Sequence, residues 1–198
     1  VAISSGGYHT CAILDNGNVS CWGSGLRGGL GNGGTASRYI PTLTASLGDG
    51  RTAVSISSGS LHTCAVLDNG EISCWGAGDN NNGVLGNGGT YQVNSPVSTD
   101  SLGADRTAVA ISSGKWHTCA VLDNAAVSCW GYGNNGALGT GMSSDETTPE
   151  LTRWPQATAA LSERDIDGNG ILNIFEERDR DYDGIADSID DCPDAWGN

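Results

Sequence analysis

The most explicit chemistry in the sequence lies near its C-terminal end. Asp165-Ile166-Asp167-Gly168-Asn169-Gly170-Ile171-Leu172-Asn173-Ile174-Phe175-Glu176 fits a twelve-residue calcium loop. Asp165, Asp167 and Asn169 supply side-chain oxygens at loop positions 1, 3 and 5, and Gly170 allows the sharp turn at position 6. Ile171 offers its carbonyl at position 7, with Asn173 and Glu176 at positions 9 and 12. A hard cation needs six to eight oxygens at roughly 2.3–2.6 Å, and Glu176 is long enough to bind through both of its own. The spacing recurs 14 residues later, with Asp179, Asp181, Asp183, Ile185, Asp187 and Asp190 as ligands and Gly184 at the turn. Two loops in tandem predict two bound Ca²⁺ ions rather than a merely solvated acidic tail.

Cysteine supplies the second signal. Six of the seven cysteines form three pairs at one spacing, Cys11/Cys21, Cys64/Cys74 and Cys119/Cys129. That spacing is not a usual zinc-ligand pattern. The predicted chemistry is three disulfides, each local to its own pair; six buried thiols packing as small hydrophobes is the alternative. Cystines persist in oxidising compartments, which predicts an extracellular or cell-surface protein. His9, His62 and His117 recur at one position each and invite a metal triad, but repetition by symmetry distributes them around an axis. A histidine bonded within its own repeat is the expectation. No nucleophile–base constellation, phosphate loop or zinc motif is present, so no enzyme is predicted.

The elements that must position these residues are repeats. Val1-Ala2-Ile3-Ser4-Ser5-Gly6 recurs from Val54 and from Val109, and the histidines follow at spacings of 53 and 55. Each repeat continues through Thr-Cys-Ala, Asp-Asn, Ser-Cys-Trp-Gly and a Gly-rich stretch ending in Leu-Gly, with Pro41, Pro96 or Pro149 beyond. Asp15-Asn16-Gly17 between two short apolar runs is a hairpin signal, with Gly17 where φ > 0 is wanted. Gly70 repeats this, but Ala125 does not, which predicts a turn strained by roughly 1 kcal/mol. Pairing across the hairpin sets each cysteine opposite its partner. The Ser-Ser-Gly approach is a third strand and the segment around each Pro a fourth. Trp22, Trp75 and Trp130 are predicted to lie in blade cores, and Trp116 at the surface.

Ile-Ser-Ser-Gly-x-x-His-Thr, Leu-Asp-Asn-Gly, Cys-Trp-Gly and Gly-x-Leu-Gly together resemble the repeat of the regulator of chromosome condensation family, over about residues 1–150. The resemblance implies a β-propeller, seven-bladed in the family. The predicted fold class is all-β: an incomplete arc of three four-stranded blades, plus a small calcium-binding tail. Domain boundaries follow as 1–151 for the blades (about 1–53, 54–108 and 109–151), 152–164 for a linker and 165–198 for the calcium loops. The first of those loops is EF-hand-like. Asp179 to Pro193 resembles a thrombospondin type 3 repeat, which implies an extracellular, calcium-organised spacer and leaves Cys192 to pair outside this chain. Three blades do not close a ring of four to eight. The sequence therefore reads as part of a larger secreted assembly, with the remaining blades as partners and unpaired strand edges at both ends.

Composition excludes other classes. The 198 residues include 31 glycines, and Phe, Met and Lys occur once each, which is no helix bundle. The net charge of −14 argues against nucleic-acid binding, and no apolar run is long enough to span a membrane. Residues 163–194 alone carry 12 acidic and 3 basic residues. The function expected is a non-enzymatic binding or adhesion module on a calcium-stabilised stalk, its ligand a protein or a surface glycan. The Gly/Asn-rich stretches 76–89 and 131–141 are expected to be its display loops. A guanine-nucleotide exchange or chromatin-binding role, implied by the family resemblance, is one alternative. An accessory region of a secreted hydrolase is another.

Overall fold

A computed structural model describes residues 1–77 and 82–153. Residues 165–190, with every predicted calcium ligand, lie outside the described residues, as do the linker from Trp154 onward and Cys192.

Twelve strands form three four-stranded antiparallel sheets, each with its strands in sequence order. The first blade contains β1 (Ala2–Ser5), β2 (His9–Ile13), β3 (Val19–Gly23) and β4 (Arg38–Leu43). β5 (Ala53–Ser58), β6 (His62–Leu67), β7 (Ile72–Gly76) and β8 (Val93–Ser98) make the second. The third holds β9 (Ala108–Ser113), β10 (His117–Leu122), β11 (Val127–Gly131) and β12 (Glu146–Leu151). The all-β arc of three blades is therefore the fold. Pro41, Pro96 and Pro149 sit on the outer strand of each sheet, where a missing N–H costs no ladder bond on the open side.

The hairpins follow the local sequence. Ile13 pairs with Val19, the Leu14 N–H donates to the Asn18 carbonyl, and a three-residue loop remains. Gly17 takes φ 78° and Gly70 takes φ 78°, and Ala125 holds the same turn at φ 65°. The third blade thus keeps the turn and carries the strain that an L side chain meets there.

Each hydrophobic core lies between blades. One cluster joins Cys11, Ile13, Val19, Cys21 and Leu30 of the first blade to Ile56, Ala65 and Trp75 of the second. The next joins Cys64, Val66, Ile72, Cys74 and Leu85 of the second blade to Ala120 and Trp130 of the third. A four-stranded sheet this small cannot bury an apolar face alone, so each blade completes its core on its neighbour. Trp75 and Trp130 are fully buried at these joints, whereas Trp22, on the side of the first blade away from the other described blades, is half-buried.

Candidate functional site

The six paired cysteines sit where the hairpin register puts them. Cys11 is the cross-strand partner of Cys21, Cys64 of Cys74 and Cys119 of Cys129, each with Cα atoms 4.1 Å apart and a bonded sulfur pair. Antiparallel strands bring directly opposed residues this close, so the covalent link asks nothing further of the backbone.

The histidines do something that the sequence did not suggest. Each reaches out of its own blade. His9 Nε2 lies 2.6 Å from Thr63 Oγ1 of the second blade, and His62 Nε2 lies 3.0 Å from Thr118 Oγ1 of the third. The threonine hydroxyls spend their one proton on carbonyls of the preceding blade, Thr63 on Gly29 at 3.4 Å and Thr118 on Val84 at 3.3 Å. The histidine must then be the donor, which fixes the neutral Nε2–H tautomer. Trp75 Nε1–H donates to the same Gly29 carbonyl at 3.0 Å, and Trp130 Nε1–H to Val84 at 2.9 Å. His, Thr and Trp thus form a polar clasp across each joint. A bond within the histidine's own repeat, as expected from sequence, is replaced by one between residues 54 or 56 apart.

Burial sets the protonation state of the clasp. Desolvation pushes His9 down to about 4. His62 is pushed down to about 3 by burial first, then by repulsion from His9 and His117. Its Nδ1 is buried without a hydrogen-bond partner, so a second ring proton would have no acceptor. His117, on the side of the third blade away from the other described blades, is also lowered by burial. His9 and His62 are thus kept neutral, each beside a threonine hydroxyl that is itself engaged with a backbone carbonyl.

Of the two Gly-rich stretches, the described part of 76–89 forms the receiving side of a joint, as residues 29–31 do in the first blade, whereas Asn134, Asn135, Gly136 and Ala137 of the stretch 131–141 are exposed. Leu30 and Leu85 are buried, and a Cβ on Gly31 would stand 2.8 Å from the Trp75 indole, as one on Gly86 would stand 2.7 Å from Trp130. These glycines let the tryptophan of the following blade lie against bare backbone.

What remains exposed and irregular is a groove along the innermost strands. β1, β5 and β9 adjoin one another there, with the Ser58 N–H donating to Ser4 Oγ at 2.9 Å and the Ser113 N–H to Ser57 Oγ at 2.8 Å. The groove is a wide-open depression of about 420 Å³ lined by residues 5–8, 58–60 and 113–115. Most of its wall repeats from blade to blade. Two positions break the repeat: Tyr8, Leu61 and Trp116 are equivalent, as are Gly7, Ser60 and Lys115. Tyr8 is 66% exposed, while Leu61 is buried. Lys115 Nζ sits 4.1 Å from the centroid of the half-buried Trp116 ring, which meets Tyr132 edge-on at 5.5 Å. Lys115 is the only lysine in the chain, and no carboxylate is among the described residues that line the groove. Trp116, read from sequence as a surface position, is held by these two contacts.

Residues 1–28, 53–84 and 108–137, and in a second alignment 16–66 and 69–121, match the Regulator of chromosome condensation (RCC1) repeat. The chain belongs to the RCC1 repeat family. Among relatives, the Ultraviolet-B receptor UVR8 of Arabidopsis thaliana is 36% identical over 149 residues, covering 75% of this chain and 33% of the receptor. The human E3 ubiquitin-protein ligase HERC2 is 36% identical over 155 residues, which cover 76% of this chain and 3% of the ligase. This chain therefore spans a third or less of these relatives. Yeast RCC1 (Prp20), solved bound to Kap60, superposes with a TM-score of 0.68 at 21% identity over 79% of this chain and 37% of its own. At that identity the likeness speaks for the fold: these RCC1 repeats are three blades of the propeller type. Among the described residues, no helix is long and apolar enough to cross a membrane.

Proposed function

We propose that the chain is a non-enzymatic binding module whose inner groove takes an acidic segment of a protein partner. The observation that carries this reading is the placement of Lys115. In a chain of net charge −14, its only lysine stands over Trp116, in a groove that exposed Tyr8 also lines and whose described lining holds no carboxylate. A cation lying over an aromatic ring suits a carboxylate flanked by apolar groups, with the ring supplying contact area and the ammonium supplying sign. Screening at physiological salt, with a Debye length of about 8 Å, keeps distant acidic residues from cancelling that attraction. Two relatives of unlike named function, a light receptor and a ubiquitin ligase, share these blades at 36% identity. That supports reading the blades as a scaffold for binding, with activity located elsewhere.

The setting we propose is extracellular or at the cell surface. Three cystines at 4.1 Å Cα spacing fit an oxidising compartment. The tandem ligand spacing from Asp165 to Asp190 fits a stalk organised by two Ca²⁺ ions.

The test compares ligand classes on one surface. The purified chain is immobilised and offered peptides carrying paired aspartates, neutral peptides of the same length, and a glycan array. Binding of the acidic peptides, lost with Lys115→Glu and weakened by Tyr8→Ala, is the expected result. Binding of glycans alone, or acidic-peptide binding untouched by Lys115→Glu, overturns the reading.

A further inference from the structure

The first and second blades each carry a depression between the hairpin and the connector that leads to the next blade. The first measures about 290 Å³, with Asn18, Thr44, Ala45, Ser46, Gly50 and Arg51 in its lining. The second measures about 300 Å³, with Glu71, Thr99, Asp100, Ser101 and Arg106. No residue of the first blade lines the second depression, so each is built by one blade and its own connector. The threonine, the serine and the arginine recur in both. The carboxylates do not. Glu71 and Asp100 stand where the first blade has Asn18 and Ala45, and Asp105 stands where it has Gly50. No carboxylate is among the described residues that line the first depression, which offers hydroxyls and one guanidinium.

We infer that Asn18 is a site of N-linked glycosylation and that the first sugar of the glycan rests in this depression. The inference builds on the extracellular setting proposed above. Asn18-Val19-Ser20 is the only Asn-Xaa-Ser/Thr triplet in the 198 residues. Asn18 is exposed, and among the described residues its side-chain amide has no hydrogen-bond partner. Only its backbone serves the turn: its N–H donates to Asn16 Oδ1 at 3.0 Å, and its carbonyl accepts from the Leu14 N–H at 2.8 Å. A sugar on Nδ2 therefore displaces no contact of the fold. Glu71 and Ala126 occupy the same place in the other hairpins, so blade packing does not ask for asparagine there.

The serine sets the order of events. Ser20 is 6% exposed, and its counterparts Ser73 and Ser128 are 2% and 1% exposed. A transferase that must read the hydroxyl reaches it only before β3 has paired, so transfer precedes folding of the first blade. The donor is an oligosaccharide held on a polyprenyl diphosphate. Asn18 Nδ2 attacks its anomeric carbon, the C–N bond forms, the C–O bond to the diphosphate breaks, and one amide proton passes to a base of the transferase. The lipid diphosphate leaves, and nothing is oxidised or reduced. Once the blade has folded, the sugar emerges beside Thr44, Ser46 and Arg51. A neutral ring rich in hydroxyls finds donors and acceptors there, whereas Glu71 and Asp100 would meet it with two charges that need water.

The experiment secretes the full chain from a eukaryotic host behind a signal peptide and maps its peptides by mass. The expected product carries one glycan, which peptide N-glycosidase removes with conversion of Asn18 to aspartate, and Asn18→Gln carries none. A chain secreted with its three cystines but unmodified at Asn18 overturns the inference and leaves the compartment reading standing. A chain retained in the cell with reduced cysteines overturns the compartment reading and the inference together. The seat of the sugar is tested separately. Endoglycosidase trimming leaves a single sugar on Asn18, and that form should have a higher urea midpoint than Asn18→Gln. Ala45→Asp, which restores the carboxylate of the second blade, should abolish the difference. Equal midpoints without Ala45→Asp, or a difference that survives it, would show that the sugar does not rest in the depression.

Discussion

At the scale of single residues, the clasp histidines make the sharpest statement. Unfolded, they titrate near 6.5; folded, His9 and His62 titrate near 4 and 3. The unfolded chain therefore binds protons that the folded chain refuses. The stability this contributes is complete above pH 6.5 and falls by about 1.4 kcal/mol per pH unit for each histidine, down to about pH 4 for His9 and about pH 3 for His62. Urea melts at pH 7.5 and 5.0 should show that loss, and His9→Gln, which keeps a donor for Thr63 but cannot be protonated, should reduce it. An equal loss in the variant would assign the pH dependence to other groups. Ala125→Gly should raise stability by about 1 kcal/mol, read from the urea midpoint, because φ 65° strains an L side chain and not glycine. No gain would mean that the turn relaxes around the methyl. Sequence showed the irregularity at Ala125, since a turn is a local matter. It did not show where His9 and His62 point, since their partners lie a full repeat away and only the packing of blades brings them together.

At the scale of elements, the hairpin is the unit that the sequence specifies most fully. The cysteine spacing, the Asn-Gly turn and the alternation of β2 and β3 all require the same register, and Cys11 opposite Cys21 follows from any one of them. Each cystine closes a short loop and constrains the unfolded chain. Cys64→Ala with Cys74→Ala should cost about 3 kcal/mol by the loop-entropy account, measured as a shift in urea midpoint without a change in strand content. Loss of the β signal at all urea concentrations would show that the link is needed for folding and not only for stability. The Gly-rich stretches were harder to read. Composition alone suggests display loops, but Gly31 and Gly86 are small because an indole from the next blade rests on them. A close approach between blades leaves the same sequence trace as a free loop, since both favour glycine.

At the scale of the whole molecule, the repeats argue for an array whose cores are shared and whose variable residues gather on the inner groove. Tyr8, Leu61 and Trp116 occupy equivalent positions but differ in burial: Tyr8 is exposed, Trp116 half-buried and Leu61 buried. The calcium loops belong to this scale as well. Full-length chain titrated calorimetrically with Ca²⁺ should bind two ions, with Glu176→Gln weakening one site and Asp179→Asn the other. Absence of calcium-dependent heat at millimolar Ca²⁺ would reduce residues 165–190 to a solvated acidic segment. The claim on which the functional account turns is that partners enter at the groove beside Lys115. The measurement that addresses it most directly is an amide NMR titration of the full ¹⁵N-labelled chain with a peptide carrying two aspartates flanked by aliphatic residues. The account predicts shifts concentrated at residues 5–8, 58–60 and 113–116, abolished by Lys115→Glu. Shifts confined to the outer strands β4, β8 and β12, or no shifts at millimolar peptide, would contradict it.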